Sequence, residues 1–161
     1  MPYWLLSSAV RLRPWRISDL ELIQEACLDP SVRRMLGLRP GCGRRAVENW
    51  IARVGSTSLV MELDGQLVGE VGLEPDASGR SALLSYWVLA RFRGRGLAQQ
   101  GAGLMCERGA GLVLTAYVSE RNLASVRVLE KLGFQRGGLI RQYAGYSGPR
   151  DTYIYFRLPE P

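Results

Sequence analysis

The sequence predicts one α/β domain (mixed α+β) in which helices pack against a central mixed β-sheet. The chain has 161 residues, 47% of them hydrophobic, a length that supports one buried core and is short for two. A hairpin pattern occupies the middle of the chain, and strand and helix patterns alternate after it. This mixture is typical of a layered sandwich around one sheet, so we expect residues 1–161 to form a single domain.

The chain is predicted to begin with a short strand and two helices. Residues 10–14 alternate between apolar and polar side chains, as in a strand. Ser18 and Glu21 have the spacing of a capping box, which predicts that a helix begins there and that Pro30 ends it. A second short helix is predicted at residues 46–54, after a stretch of proline and glycine that interrupts any longer helix.

A hairpin and a third strand follow. Strands are predicted at Ser58–Leu63 and at residues 66–73, joined by Asp64 and Gly65. An Asp-Gly pair favours a tight primed turn because both residues tolerate a positive φ angle. Residues 82–89 form the next predicted strand, and their largely apolar character favours a central place in the sheet.

The second half of the chain alternates helices with strands. A helix is predicted at Leu97–Arg108 although Gly101 and Gly103 each cost about 1 kcal/mol relative to alanine, which indicates close packing beneath that helix. A strand is predicted at residues 112–118, a helix at residues 122–132 closed by Gly133, and two further strands from Phe134 to about Leu158. The predicted order is therefore approximately βααβββαβαββ.

The residue content excludes several kinds of catalysis. The chain has no histidine, so neither a Ser/His nor a Cys/His nucleophile pair is available. Cys27, Cys42 and Cys106 are few, odd in number and far apart in sequence, which predicts neither a disulfide framework nor a metal site. Residues 3–10 are too few for a membrane span or a signal sequence. We therefore expect a cytoplasmic protein.

The chain carries a formal net charge of +6. Such a balance is compatible with nucleic acid, an acidic protein surface, a polyphosphate ligand or simply a basic surface. Nucleic acid is disfavoured because the arginines are dispersed and no basic block is interleaved with stacking aromatic residues.

A glycine-rich loop at residues 91–98 lies between a predicted strand and a predicted helix. Without side chains at Gly94 and Gly96, backbone N–H groups can converge on an anion at the helix N-terminus, and the arginines of the loop supply mobile positive charge. A pyrophosphate group fits this arrangement. A dinucleotide-binding fingerprint would place its third glycine at Gln99, and an arginine-rich turn without a ligand is the simpler alternative.

Sequence motifs along the chain resemble those of one enzyme family. Arg91-x-x-Gly94-x-Gly96 is similar to the Q/R-x-x-G-x-G/A loop of the GNAT N-acetyltransferases, and Asn122-x-x-Ser125 resembles a motif of the RimJ/RimL-like ribosomal-protein acetyltransferase branch.

Residues 128–134 and 12–15 also resemble segments of that branch. The motifs occur in the family's order and span residues 10–158, so the chain is identified as a member of this family.

The resemblance implies a GNAT-like fold in which acetyl-CoA, the acyl donor, lies between two splayed central strands. These are the strand ending at Leu89 and the one ending near Val118. The backbone of the first strand would hold the pantetheine arm, and the glycine loop would hold the pyrophosphate. The implied cofactor-binding residues are Trp87, Val88, Leu89, Arg91, Arg93, Gly94, Arg95, Gly96, Leu97, Ala98 and Asn122. Asn122 is equally suited to capping a helix, and Trp87 to filling a core.

The resemblance also implies direct transfer of the acetyl group to a neutral amine in a ternary complex. Many members place a tyrosine, as the acid for the departing thiolate, where this chain has Leu129, so Ser125 is the candidate for that role. A glutamate common in the family is replaced by Leu83, and Glu70 is our candidate for the general base, with Glu120 next. Two alternatives exist: a chain of water molecules could carry the proton in place of a glutamate, and either glutamate could be an ordinary surface residue.

The resemblance further implies that the acceptor is a primary amine, either a protein N-terminus or a small molecule. Arg141, Gln142, Tyr143 and Tyr146 lie in the region that usually borders the acceptor cleft. A homodimer stays open, and no membrane partner is expected. The alternative function is a non-catalytic acyl-CoA-binding or regulatory module of the same fold.

Overall fold

A seven-stranded mixed β-sheet organises the chain in the computed structural model, which describes residues 9–119, 121–143 and 149–159. The strand order across the sheet is β1-β2-β3-β4-β5-β7-β6. The strands are β1 Arg11–Arg13, β2 Ser58–Leu63, β3 Gln66–Pro75, β4 Ser81–Val88, β5 Val113–Val118, β6 Gln135–Tyr143 and β7 Pro149–Arg157. The helices are α1 Leu20–Ala26, α2 Pro30–Met35, α3 Arg44–Val54, α4 Leu97–Arg108 and α5 Leu123–Lys131. The α/β fold class is confirmed.

The first half of the chain contains three helices where the sequence predicts two. Pro30 does not end α1, which stops at Ala26, but is the first residue of α2. Proline suits this position because the first amide of a helix has no partner inside the helix. Asp29 caps α2, since its Oδ1 accepts the Ser31 N–H at 2.8 Å. The start of α1 also differs: the backbone N–H of Arg16 donates to Asp19 Oδ2 at 2.7 Å, and Ser18 lies in a 3₁₀ turn.

The predicted hairpin is confirmed. Asp64 has φ 50° and Gly65 has φ 78°, as a primed turn requires, and the turn joins β2 to β3. β3 pairs antiparallel with β2 on one side and with β4 on the other. β3 and β4 therefore lie inside the sheet, with every second side chain facing each of its two surfaces.

The two surfaces of the sheet carry separate buried cores. One core lies between the sheet and helices α4 and α5, and the other lies against helices α1, α2 and α3. Val71 and Val88 belong to the first core, whereas Val60, Trp87 and Leu89 belong to the second. Successive side chains of one strand thus stabilise opposite faces, so β3 and β4 can present functional groups to both.

Helix α4 approaches the sheet through two glycines that face one methionine. A Cβ atom at Gly101 would lie 2.0 Å from Met61 Sδ, and one at Gly69 would lie 2.7 Å from Met61 Cε. Met61 is fully buried, so it has little freedom to move away. The packing expected beneath α4 is confirmed at Gly101. Gly103 is not explained in this way, because a Cβ atom there would meet only Leu132 Cδ2, at an ordinary 3.5 Å.

The sheet opens between β4 and β5. These strands run parallel, but they pair only at Ser81 with Val113, Ala82 with Leu114 and Leu83 with Thr115. Beyond these three pairs, β4 continues to Val88 and β5 to Val118 without pairing to each other. The predicted splay between the two strands is confirmed.

Among the described residues, no helix has the length and apolar character needed to cross a membrane.

The three cysteines are free thiols, but two of them are neighbours in space. Burial and the adjacent Cys42 raise the pKa of Cys27 to about 12. Cys106 belongs to α4 and faces the core, where burial also raises the pKa of its thiol. A thiol of raised pKa is a poor nucleophile at neutral pH, so Cys27 and Cys106 are packing residues.

Candidate active site

A cavity of about 670 Å³ occupies the opening between β4 and β5. Its walls come from α2 and α3, from the sheet and from the first turn of α5. This volume is in the range of small-molecule sites. Polar groups from several elements converge on it: Arg34, Arg53, Ser58, Glu70, Glu74, Ser85, Tyr86, Asn122 and Ser125. Glu70 and Ser125, the two catalytic candidates, thus line one cavity.

Glu70 is a buried carboxyl group on β3. Its exposed fraction is 3%, and its Oε1 accepts a hydrogen bond from Ser58 Oγ at 2.7 Å. Burial raises the pKa of Glu70 to about 7, although the Ser58 hydrogen bond opposes this shift by favouring the ionised form. A carboxyl group with a pKa near neutrality can both take up and release a proton under physiological conditions.

A hydrogen-bonded chain holds Glu70 in place. Trp15 Nε1 donates to Ser58 Oγ at 2.9 Å, so the Ser58 oxygen accepts one hydrogen bond while its own proton points to Glu70. The Trp15 ring in turn packs edge-on against Trp50, with 5.4 Å between ring centroids. Ser58 is a contributor that the sequence did not indicate, because its contact with Glu70 exists only through the pairing of β2 with β3.

The absence of a side chain at Gly72 lets the Glu70 carboxyl group and Ser85 lie close to the β3 backbone. A Cβ atom at this position would lie 2.8 Å from Ser85 Oγ and 3.1 Å from Glu70 Oε1. Any side chain here would displace both groups and narrow the cavity that they line. A glycine inside a strand often marks such a close approach, and this was the sequence signal that could have identified Gly72.

Ser125 lies on the opposite wall, in the first turn of α5. Its N–H donates to Asn122 Oδ1 at 3.2 Å, so Asn122 acts as the cap of this helix. The backbone carbonyl of Ser125 accepts a hydrogen bond from the Tyr86 hydroxyl at 3.3 Å, and this bond links β4 to α5 across the opening. Burial raises the pKa of Tyr86 to about 12, so its hydroxyl stays protonated at neutral pH and can donate. No motif in the sequence marks Tyr86 as part of the site.

Leucines occupy the two positions where the family often has a catalytic tyrosine or glutamate, and the remaining candidate side chains are not described. Leu129 is fully buried and Leu83 lines the cavity. Glu120 and Tyr146 lie outside the described residues, as do the side chains of residues 141–143.

The glycine loop has the backbone geometry expected of an anion site. Gly94 has φ 75° and Gly96 has φ 73°, and nothing lies within 4 Å of where a Cβ atom would stand at either position. Leu97 and Ala98 form the first turn of α4, directly after Gly96. The first N–H groups of a helix have no partners within it and carry partial positive charge, so an anion here would meet free donors.

Two of the loop arginines are bound rather than mobile. Arg91 forms an ion pair with Glu25 at the end of α1, and Arg93 Nη2 forms one with Asp29 Oδ2 at 2.6 Å. Arg95 stacks over Phe92 with 5.7 Å to the ring centroid. The expectation that all three arginines supply mobile charge is therefore wrong for Arg91 and Arg93.

The backbone of β4 presents alternate groups to the opening. The N–H of Leu89 donates to the carbonyl of Val68 at 2.9 Å, so Leu89 and, two residues earlier, Trp87 direct their backbone groups to β3. Val88 directs its groups to the opening, where Arg93 Nε donates to its carbonyl at 2.9 Å.

The Trp87 side chain lies in the core against α1, α2 and α3. Its indole N–H has no acceptor at hydrogen-bond distance among the described residues, yet it is near enough to Glu70 to favour the ionised carboxylate slightly.

Comparisons with known proteins identify the fold and the family. The chain is 23% identical over 170 residues to an uncharacterized N-acetyltransferase, p20, of Bacillus licheniformis, covering 96% of this chain and 95% of p20. Its fold is similar to that of a spermidine N-acetyltransferase from Vibrio cholerae in complex with CoA and spermine (TM-score 0.78, 19% identity, 92% and 95% of the two chains).

It is also similar to an acetyl transferase from Salmonella typhimurium that modifies the N-terminal serine of ribosomal protein L7/L12 (TM-score 0.75, 14% identity, 96% and 98%). These likenesses define an acetyltransferase fold. A family model, the GNAT acetyltransferase domain, matches residues 9–135. The chain therefore belongs to the GNAT acetyltransferase family and is an enzyme of the N-acetyltransferase class.

Proposed function

We propose that this enzyme transfers the acetyl group of acetyl-CoA to a primary amine, by direct attack within a ternary complex, as a member of the RimJ/RimL-like branch. The observation that supports this most is the position of Glu70, a buried carboxyl group with a pKa raised to about 7 that lines the same cavity as Ser125. The opening between β4 and β5 gives both residues access to one bound substrate.

Acetyl-CoA would bind through the glycine loop and the edge of β4. Backbone N–H groups at Gly94 to Ala98 would hold the pyrophosphate, assisted by the partial charge at the start of α4. The edge of β4 at Val88, which does not pair with β5, would receive the pantetheine arm. Arg95 is the loop arginine without a carboxylate partner in the described part of the chain, so it would supply the free countercharge.

Glu70 would act as the general base. Its carboxylate takes a proton from the incoming ammonium group, which leaves a neutral amine able to attack the thioester carbonyl. Ser58 supports this role, because its hydrogen bond stabilises the ionised carboxylate. Ser125 would donate a proton to the sulfur as the carbon–sulfur bond breaks, and the nitrogen's second proton would restore the Ser125 hydroxyl through solvent. One proton per turnover is released to solvent by Glu70.

The experiment that tests this function measures CoA release from acetyl-CoA with a panel of amines: peptides of different N-termini, amino acids, polyamines and amino sugars. We expect turnover with one class, and Ser125→Ala should lower kcat while leaving CoA binding nearly unchanged. Binding of acetyl-CoA without release from any amine would instead support the non-catalytic alternative. An unchanged kcat in Ser125→Ala would remove Ser125 from the mechanism.

Two glycine variants test whether the glycine loop binds CoA. Gly96→Glu should abolish CoA binding because a carboxylate would fill the anion site, whereas Gly79→Glu should not. Gly79 also has a positive φ, 66°, and open space around it, but it lies in the turn between β3 and β4. Equal loss in both variants would show a general effect of strain and contradict the assignment of the loop.

A further inference from the structure

We propose that the acceptor amine also carries an anionic group, a carboxylate or a phosphate, which Arg34 and Arg53 bind. This inference rests on the proposed function and narrows its acceptor to one chemical class. Arg34 belongs to α2 and Arg53 to the last turn of α3, and both line the cavity together with Trp50.

Neither arginine has a carboxylate partner in the part of the chain that the structure describes. Other arginines do find such partners: Arg13 binds Asp19 and Glu62, Arg44 binds Glu48, and Arg91 and Arg93 bind Glu25 and Asp29. Arg45, also on α3, likewise has no carboxylate partner among the described residues, so the feature that distinguishes Arg53 is its position at the cavity. Two unpaired guanidinium groups at a cavity that also holds the candidate base indicate a binding site for an anion.

The acidic groups of the cavity lie on a different wall. Glu70 and Glu74 belong to β3, and neither pairs with Arg34 or Arg53. An amine directed at Glu70 would therefore extend its remaining groups towards the wall formed by α2 and α3. A carboxylate on that extension meets positive charge, whereas the second ammonium group of a polyamine meets repulsion.

The anionic group can come from two sources with the same chemistry. A free amino acid or phosphorylated small amine would bring it directly, and a peptide would bring it on an acidic side chain next to its N-terminal residue. The cavity of about 670 Å³ has room for either a small molecule or the first residues of a peptide.

The test compares acceptors that differ only in charge. Glycine is paired with glycinamide, which lacks the carboxylate, and peptides beginning Ser-Glu are paired with peptides beginning Ser-Gln, all with amidated C-termini, with spermidine as the cationic reference. We expect the acidic member of the productive pair to have a kcat/KM at least about tenfold higher, since one guanidinium–carboxylate pair contributes that much discrimination. Preference within the amino-acid pair indicates a free small molecule, and preference within the peptide pair indicates an N-terminus.

Variants of Arg34 and Arg53 test whether these two residues cause the preference for acidic acceptors. Arg34→Gln and Arg53→Gln should each raise KM for the acidic acceptor, leave KM for its neutral partner unchanged, and hold kcat within about twofold because neither residue takes part in proton transfer. Arg34→Glu should reverse the preference in favour of spermidine. Arg45→Gln is the matched control, because Arg45 is exposed on the same helix as Arg53 and does not line the cavity.

Binding measured by calorimetry in the presence of CoA gives a readout that does not require turnover. Equal affinity for acidic and neutral partners, or a preference that survives both glutamine variants, would overturn the inference and leave the acetyltransferase function standing. Absence of transfer to every amine would refute the proposed function, while the binding preference would still decide whether these arginines recognise an anion.

Discussion

Burial of Glu70 beside the Ser58 hydroxyl determines when this carboxyl group is ionised. Removal from water disfavours the charged form, and the pKa rises from 4.5 to about 7. The hydrogen bond from Ser58 keeps the shift from becoming larger, since it is stronger to a carboxylate than to a neutral acid. Only the ionised form can accept a proton from the acceptor ammonium group.

The proposed role of Glu70 makes a prediction about pH. In the wild-type enzyme, kcat/KM should rise with pH through about 7, as the carboxyl group ionises. In Glu70→Gln the rate should fall on the order of 10²–10⁴-fold and lose that inflection, because the amide cannot accept a proton. Steady-state rates measured from about pH 5.5 to about pH 9 check this prediction.

Ser58→Ala serves as the companion variant. Without the hydrogen bond that favours the carboxylate, the inflection should move to higher pH rather than disappear. An inflection near 7 that survives in Glu70→Gln would assign the titration to another group.

The sequence alone identifies only part of the candidate site. Ser125 could be proposed because it belongs to a recognisable motif, and Glu70 because it lies on the strand before the one where Leu83 replaces the family's glutamate. The structure places both at one cavity. Ser58, Gly72 and Tyr86 could not be proposed, because their contacts depend on strand register and on the divergence of β4 from β5. A serine or a tyrosine in a strand carries no sign of its partner in the sequence.

Individual helices and strands show which local signals determine the fold. The hairpin was predicted because Asp64 and Gly65 determine the turn by local sterics alone. The break between α1 and α2 was not, because proline both ends helices and begins them, and only the Asp29 cap distinguishes the two uses here.

Because α4 contacts the sheet so closely, we expect a glycine-to-alanine substitution in this helix to lower the free energy of unfolding, where such a substitution usually raises it. Alanine normally stabilises a helix interior by about 1 kcal/mol relative to glycine. Gly101→Ala should instead destabilise the protein, on the order of 2 kcal/mol, because its Cβ atom would overlap the buried Met61 side chain. Urea unfolding measures the change in the free energy of unfolding.

Two further variants isolate this effect. Gly103→Ala, on the same helix with ordinary contacts, should be neutral or stabilising. In a Met61→Ala background, Gly101→Ala should also become stabilising. If Gly101→Ala destabilises the Met61→Ala protein as much as the wild type, the cause is not contact with the methionine side chain.

At the scale of the whole molecule, the proposed active site lies where the sheet is incomplete. Three residue pairs hold β4 to β5, and the cavity forms where pairing stops. Because strands present side chains to alternate faces, β3 brings Glu70 to the face covered by α1, α2 and α3, while the glycine loop leads into α4 on the other face. The splay connects the two faces.

The buried carboxyl group also makes global stability depend on pH. The pKa of Glu70 is raised in the folded state, so the folded protein binds this proton more tightly than the unfolded chain. Its contribution to stability is complete below pH 4.5 and is lost as pH rises through about 7. The free energy of unfolding of Glu70→Gln, relative to wild type, should therefore increase between these limits by on the order of 3 kcal/mol.

Denaturant titrations of both proteins at about pH 4.5 and about pH 8 check this expectation about stability, on either side of the Glu70 pKa of about 7. A difference that is constant with pH would mean that Glu70 is hydrated in the folded protein.

The ion pair between Arg93 and Asp29 connects the glycine loop to the start of α2. Asp29 caps α2, the helix that carries Arg34 to the cavity, while Arg93 belongs to the glycine loop. A ligand that draws Arg93 away from Asp29 changes the charge at the start of α2. Binding at the two proposed sites would then be coupled, and thermodynamic reciprocity requires that each substrate would change the affinity of the other by the same factor.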